Sequence, residues 1–198
     1  MGNFTTVPDV VVDQSFPPSL WESAIMNNLN LGVCRQLADH TCVGAEASID
    51  FSSLPATFAH LLVFILARGD IAATQTSLNL QFNGDSGHYD WFSGLSGGSG
   101  SASAATSGQI GFMSGSTAPA NKFSPYVLWI PHYAQASTQK GVQTLGFNTP
   151  GTGGANVDPY VNSIMWTAAA AAINEITFLP GSGNFVANSR FTVYGLPA

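Results

Sequence analysis

Charged side chains are scarce in this sequence. Lys and Arg number five and Asp and Glu eleven, so 8% of the residues are charged, against about a quarter in an ordinary soluble domain. The net charge of −6 lacks the basic footprint of a nucleic-acid-binding protein, so we expect no direct nucleic-acid partner. A surface built mainly from uncharged polar and small residues can be covered by neighbours without desolvating many charges. The composition therefore favours an oligomer.

Long apolar runs and cysteines are scarce too. The longest dense apolar run, residues 61–67, is far below the roughly 20 residues of a membrane span. The first residues, MGNFTTVPDVVVD, lack the basic and apolar regions of a signal peptide. We therefore expect no membrane partner and retention in a cytoplasm. Cys34 and Cys42 are predicted to be free thiols, because that compartment is reducing and no His-rich spacing around them resembles a zinc site.

The stretch SLNLQFNGDSGHYDWF, residues 77–92, shows the alternation of a half-buried strand. Leu78, Leu80 and Phe82 fall on one face, and polar residues fall on the other. Asn83 and Gly84 then tolerate the positive φ that tight turns require. The pattern predicts a β-hairpin or a related corner, followed by an aromatic-rich strand.

Similar short apolar patterns recur along the chain. The run Leu61–Leu66 is typical of a central strand buried on both faces, with Leu62 and Phe64 in the core. About eight to ten such strands, separated by Gly and Pro, predict an all-β fold: an antiparallel β-sandwich of jelly-roll type over residues 45–198. Residues 94–108, rich in Gly and Ser, are predicted to form a loop. The five alanines at 168–172 have high helix propensity, but we assign them to a strand.

Residues 1–44 are predicted to precede the sandwich as an extended arm and a short helix. Three consecutive valines favour an edge strand added to a neighbour. Three apolar residues at i, i+4 and i+8 then give the helix one apolar face. Its tryptophan anchors the helix either on this protein's own domain or in a partner's pocket. Because so short a helix needs outside help, we predict that the segment docks on a partner through Val10, Val11, Val12, Trp21, Ile25 and Leu29.

Two motifs suggest activities that their surroundings do not support. Residues 94–98 match G-x-S-x-G, but a nucleophile elbow needs a helix after Ser96, and more Gly and Ser follow it. The triplet Arg68-Gly69-Asp70 matches an integrin-binding motif. Three residues recur by chance, however, and a charged strand end is the simpler account. We therefore predict no catalytic residues and no enzyme activity.

Several residues could bind a ligand, but each of them also has a simpler structural role. Asp85 and Asp90 beside Asn83 could offer oxygen atoms to calcium, but side-chain hydrogen bonds within a turn are the favoured account. The four histidines show no ligand spacing, so we predict no metal and no cofactor. Five aromatic residues could form a sugar-stacking face, although aromatics on strands more often lie in cores or interfaces. They are Tyr89, Trp91, Trp129, Tyr133 and Trp166.

Five segments of the chain together resemble a known kind of domain. They are FSSLPATFAHLLVFILARGD, LNLQFNGDSGHYDW, FSPYVLWIPHYA, INEITFLPGSGNF and SRFTVYGLPA. In this order they resemble a β-sandwich domain that recurs in virion proteins of tailed bacteriophages, over roughly residues 45–198. QSFPPSLWESAIMNNLN is similar to the N-terminal element of many phage virion proteins, although its Pro-Pro pair departs from that pattern. The resemblance implies a virion component, a homotrimer, and no catalytic residues.

Three functions are compatible with this resemblance. The leading hypothesis is a capsid decoration or cement protein, assembled in the host cytoplasm, whose arm docks on the major capsid protein or another virion protein. Its sandwich would then pack around a threefold axis. The alternative is a tail-fibre or collar module that recognises cell-surface glycans. The third is a glycan-active enzyme.

Overall fold

The computed structural model describes residues 34–95, 98–151 and 157–197. Within these residues the secondary structure consists of twelve β-strands joined by turns and irregular segments. The predicted arm and helix lie outside the described residues, and so do their six docking residues. The strands are β1 Arg35–Thr41, β2 Ile49–Phe51, β3 His60–Ala67, β4 Gln75–Phe82, β5 Tyr89–Leu95, β6 Gly98–Ala105, β7 Gly108–Ser114, β8 Ser124–Ile130, β9 Lys140–Asn148, β10 Asp158–Trp166, β11 Ile176–Pro180 and β12 Arg190–Leu196.

The strands form two antiparallel sheets that enclose one core. The larger sheet has the order β1-β12-β3-β8-β9-β10-β5-β6, and the smaller has the order β2-β11-β4-β7. Strand β7 of the smaller sheet packs against β10, β9 and β5 of the larger one. The predicted all-β antiparallel sandwich is thus confirmed. Strand β1 lies within the segment 1–44 that was assigned to the arm, and it pairs with β12 in the larger sheet.

The predicted turn after β4 is a corner between the sheets. Strand β4 belongs to the smaller sheet and β5 to the larger. Asn83 and Gly84 both have positive φ, 52° and 68°, and the Tyr89 hydroxyl accepts a hydrogen bond from the Phe82 N–H at 2.6 Å. The predicted burial of Leu78, Leu80 and Phe82 is confirmed, since all three are inaccessible to solvent.

Strand β3 is central, as predicted, but it is buried on one face only. Alternate residues such as Leu61 and Val63 point into the core, whereas Phe64 is 43% exposed and Leu62 is half-buried. The prediction that Leu62 and Phe64 lie in the core was therefore wrong. The run is apolar because its outer side chains are apolar as well, not because a second layer covers them.

Two further assignments were wrong. The predicted loop at 94–108 contains strand β6, whose small residues pair with β5 and let Gly100 lie against the ring of Trp91. The alanines at 168–172 form neither strand nor helix. The Asn83 side chain instead binds the backbone next to them, donating to the Ala172 carbonyl at 2.8 Å and accepting from the Asn174 N–H at 2.9 Å.

Arg68 directly follows the last residue of β3, as the prediction of a charged strand end requires, and its side chain is buried. Its side chain is 8% exposed, and its guanidinium donates hydrogen bonds to four backbone carbonyls of one loop at distances of 2.7–3.3 Å. Those carbonyls belong to Ser116, Ala118, Pro119 and Lys122. Because a receptor cannot reach this guanidinium, the triplet has no adhesive geometry here.

The ring of Tyr126 on β8 links the two sheets. Its hydroxyl donates to the Phe112 carbonyl at 2.7 Å and accepts from the Phe112 N–H at 3.0 Å. Phe112 lies on β7 of the smaller sheet. Gly111 and Gly146 leave room for this side chain, because a Cβ at either position would stand less than 2.5 Å from one of its atoms.

Candidate interaction surface

The outer faces of the two sheets differ in chemistry. The outward positions of β4 in the smaller sheet are polar: Ser77, Asn79 and Gln81. Their side chains are satisfied locally, since the Asn79 amide donates to Ser77 and the Gln81 amide donates to the Thr106 carbonyl. The smaller sheet therefore has the solvated outer face expected of an antiparallel sandwich.

The outer face of the larger sheet is mostly apolar. Strand register places Phe64, Val127, Leu145 and Val161 side by side across β3, β8, β9 and β10. Opposed side chains on one face of a sheet lie within contact distance of each other, so these residues form a continuous row. We define the apolar face by its eight most exposed members: Phe64, Leu66, Phe92, Trp129, Leu145, Phe147, Val161 and Met165.

The apolar face is large for a monomer. Leu145 near its centre is 61% exposed. Taking about 150–250 Å² for a large side chain, we find that the eight residues expose on the order of 700 Å². The largest apolar patch of a typical monomer is roughly 300–600 Å². Each partner in a standard protein interface contributes about 800 Å². The apolar face therefore has the size of an interface.

Charge is confined to the sides of the apolar face. Among the described strands, the outward positions of β3, β8 and β9 carry no Lys, Arg, Asp or Glu. Arg190 lies on the β12 side, where it binds Asp39 at 3.0 Å. Hydrogen bonds from Arg190 and Thr192 hold the pKa of Asp39 below its usual range. Asp90 lies on the opposite side, on β5, and accepts a hydrogen bond from the Ala104 N–H.

Two shallow depressions mark these two sides. One, of about 310 Å³, is lined by residues that include Phe64, Tyr194 and Arg190. The other, of about 320 Å³, is lined by residues that include Phe92 and Asp90. Each depression thus combines exposed aromatic surface with one charged group, and the two charges are of opposite sign.

A pair of histidines closes one end of the apolar face. The His60 ring lies 4.8 Å from the Trp129 ring and 4.7 Å from the His132 ring. The His132 N–H donates to Nδ1 of His60 at 3.1 Å. Burial, and then the neighbouring His132, hold the pKa of His60 below its usual value. His60 is therefore neutral at pH 7.

The contacts of Asp85 and Asp90 agree with the interpretation that these side chains form structural hydrogen bonds near the turn. The Asp85 carboxylate accepts hydrogen bonds from the Trp166 indole at 2.6 Å and from His88 at 2.9 Å. Burial raises the pKa of Asp85, but these hydrogen bonds outweigh it and keep the pKa below its usual range. Asp90 accepts a hydrogen bond from the backbone N–H of Ala104, which lies 14 residues further along the chain on β6. The oxygen atoms proposed for calcium are thus used to hold the turn and the adjoining strands.

The other candidates from the sequence are not brought together. Of the five aromatic residues, Tyr89, Tyr133 and Trp166 are buried, Trp91 is half-buried against the core, and Trp129 belongs to the apolar face. Ser96 lies outside the described residues, as do the docking residues Val10, Val11, Val12, Trp21, Ile25 and Leu29. Cys34 is exposed and Cys42 is buried, and both are free.

Sequence reasoning missed the apolar face, although a signal for it was present. The β3 run places Phe64 and Leu66 at positions that alternate with core residues. Leu145 and Val161 are apolar where the period of their strands predicts an outward side chain. Two apolar sets on one strand indicate either two covered faces or one exposed apolar face, and only the sheet order separates these cases.

Within the described ranges, no helix has the length and apolarity required to cross a membrane. Comparisons with models of known protein families, with curated proteins and with solved structures returned no match.

Proposed function

We propose that this protein is a structural subunit of a tailed-bacteriophage virion, a capsid decoration protein that docks through its N-terminal arm and forms a homotrimer. The apolar face of the larger sheet is the observation that supports it. Burying about 700 Å² of apolar surface on each subunit would favour association by the hydrophobic effect, and no charge on β3, β8 or β9 would have to be desolvated.

The occupant of the apolar face in this proposal is a second copy of the same chain. The face has two unlike sides, with Arg190 and Tyr194 on one and Asp90 and Phe92 on the other. Around a threefold axis, the β12 side of one subunit meets the β5 side of the next, which is a heterologous contact that closes into a ring.

Several buried polar side chains have structural roles, which agrees with a structural protein. The buried polar groups described above hold backbone: Arg68 binds loop carbonyls, and Tyr126 and Asn83 bind backbone groups of neighbouring segments. The low charge of the whole chain and the resemblance to phage virion sandwiches support the same proposal.

Molar mass in solution tests the assembly. We expect a trimer, three times the chain mass of 20.6 kDa, by light scattering on a size-exclusion column. Leu145→Glu places a charge at the centre of the apolar face and should yield monomers. The matched control, Gln81→Glu, places the same charge on the outer face of the smaller sheet and should remain a trimer. A monomeric wild-type protein, or Leu145→Glu that stays trimeric, would contradict the proposed interface, and a dimer would contradict the threefold arrangement.

Particle labelling tests the location. We expect labelled protein at many sites over the phage shell in electron micrographs, and label confined to the tail would reject the decoration role. Deleting residues 1–31 should abolish binding to empty shells while leaving the trimer intact. Trp21→Ala should weaken the binding, and full occupancy by the arm-deleted protein would show that the arm does not dock.

A further inference from the structure

Three different metal-binding side chains converge where β1 ends. Nε2 of His40 lies 2.8 Å from Oε2 of Glu46. With Sγ of Cys42, these ligand atoms all lie within 4.8 Å of one another. The group thus offers one nitrogen, one sulfur and one oxygen atom from a segment of seven residues.

The backbone fixes this arrangement. His40 and Cys42 are two residues apart on extended chain, so their side chains point to the same side. The chain then turns at residues 43–45 and returns Glu46 to them. The turn is held at both ends, since the Cys42 N–H donates to the Ser189 carbonyl at 2.8 Å, and Glu46 exchanges two backbone hydrogen bonds with Phe185. A site on such a held segment loses little entropy when a metal binds.

We propose that His40, Cys42 and Glu46 bind one zinc ion, with water as the fourth ligand. Thiolate and imidazole groups suit zinc, whereas calcium and magnesium take oxygen ligands only. In a tetrahedral zinc site with bonds of about 2.0–2.3 Å, ligand atoms lie roughly 3.3–3.8 Å apart. The His40 and Glu46 ligand atoms are 2.8 Å apart, and no pair of the three ligand atoms is more than 4.8 Å apart, so side-chain shifts of about 1 Å would complete the tetrahedron.

The exposure of the three side chains agrees with a site that opens to solvent. Cys42 is buried, whereas the side chains of His40 and Glu46 are 40% and 27% exposed. An ion can therefore approach past the two outer ligands, and water can occupy the fourth position. Zinc would displace the proton of the Cys42 thiol as it binds, since the thiolate is the form that ligates metal. If His40 and Glu46 only bind each other and the Cys42 thiol is inert, the measurements below should show no specific zinc binding.

Zinc titration of the full chain, stripped of metal with a chelator, tests the proposal. Calorimetry should show one zinc bound per chain, and a stoichiometric excess of zinc should raise the melting temperature, because the ion binds only the folded chain. His40→Gln, a substitution at a half-buried position on β1, should weaken binding by at least about 100-fold, since it removes a direct ligand. Cys42→Ala should do the same.

Two matched variants serve as controls. Cys34→Ala removes the exposed thiol, and His88→Gln removes the other surface histidine paired with a carboxylate, at 2.9 Å from Asp85. Both should bind zinc as the wild type does. Cobalt should give a thiolate-to-metal charge-transfer absorption in the wild type and in Cys34→Ala but not in Cys42→Ala. No zinc binding by the wild type, or equal losses in the control variants, would overturn the site. If Cys42→Ala does not fold, zinc binding by His40→Gln and the cobalt spectrum of the wild type still test the proposed site.

Discussion

Replacing Tyr126 by Phe isolates one connection between the two sheets. The substitution removes only the hydroxyl, which binds both backbone groups of Phe112 on the opposite sheet at 2.7 and 3.0 Å. The ring itself is buried, 1% exposed, and Phe keeps its packing against Gly111 and Gly146. The variant therefore leaves the part-buried N–H and C=O of Phe112 without their partner.

The expected loss follows from those two groups. A buried donor or acceptor that loses its partner costs about 1–3 kcal/mol, and these two groups are part-buried, so the free energy of unfolding should fall by roughly 2–4 kcal/mol. For a domain of this size the melting temperature should then fall by roughly 5–15 °C. Urea denaturation and thermal scans at one fixed protein concentration measure both quantities, since subunit association also shifts apparent stability.

Tyr160→Phe provides the control for this measurement. The Tyr160 ring is equally buried and lies 6.4 Å from the Tyr126 ring, but none of the hydrogen bonds among the described residues uses its hydroxyl. We expect a change within about 0.5 kcal/mol, as for substitutions outside bonded networks. A similarly small change in Tyr126→Phe, or an equal loss in both variants, would refute the argument that the Tyr126 hydroxyl links the sheets.

Two further predictions concern buried and half-buried cationic groups. Arg68→Lys should lower the free energy of unfolding by roughly 2–5 kcal/mol in urea titrations, because one ammonium group cannot reach all four loop carbonyls. Arg190→Lys, at an exposed position, is the control and should lower the free energy of unfolding much less. Equal losses in the two variants would contradict the role of the buried guanidinium. Because the pKa of His60 is held below its usual value of about 6.5, the unfolded chain takes up the proton first, and stability should fall as the pH drops below that value. Thermal scans between pH 7 and 5 should show a smaller fall for His60→Asn, and an identical fall would contradict this assignment.

Much of the architecture was predictable from local pattern. Alternation over Leu78–Phe82 identified β4 and its buried face, because a strand has a period of two and the smaller sheet is solvated on its other side. Asn83 and Gly84 identified the reversal, since their positive φ is a local property. That the reversal passes from one sheet to the other is not local, and only the pairing of β4 with β7 and β11 decided it.

The apolar face and the His40–Cys42–Glu46 cluster depend on tertiary structure. Which side of β3 is covered depends on where the smaller sheet lies, and the sequence of β3 is apolar at both sets of positions. His40 and Cys42 share a side of the chain by their spacing, but the Glu46 bridge to Phe185 brings in the third ligand. The sequence alone determined strands with clear alternation such as β4, the low charge and the reversal at Asn83 and Gly84, because these depend on neighbouring residues. Tertiary structure decided which apolar residues stay exposed and which polar atoms meet, because both depend on the order in which distant strands pair.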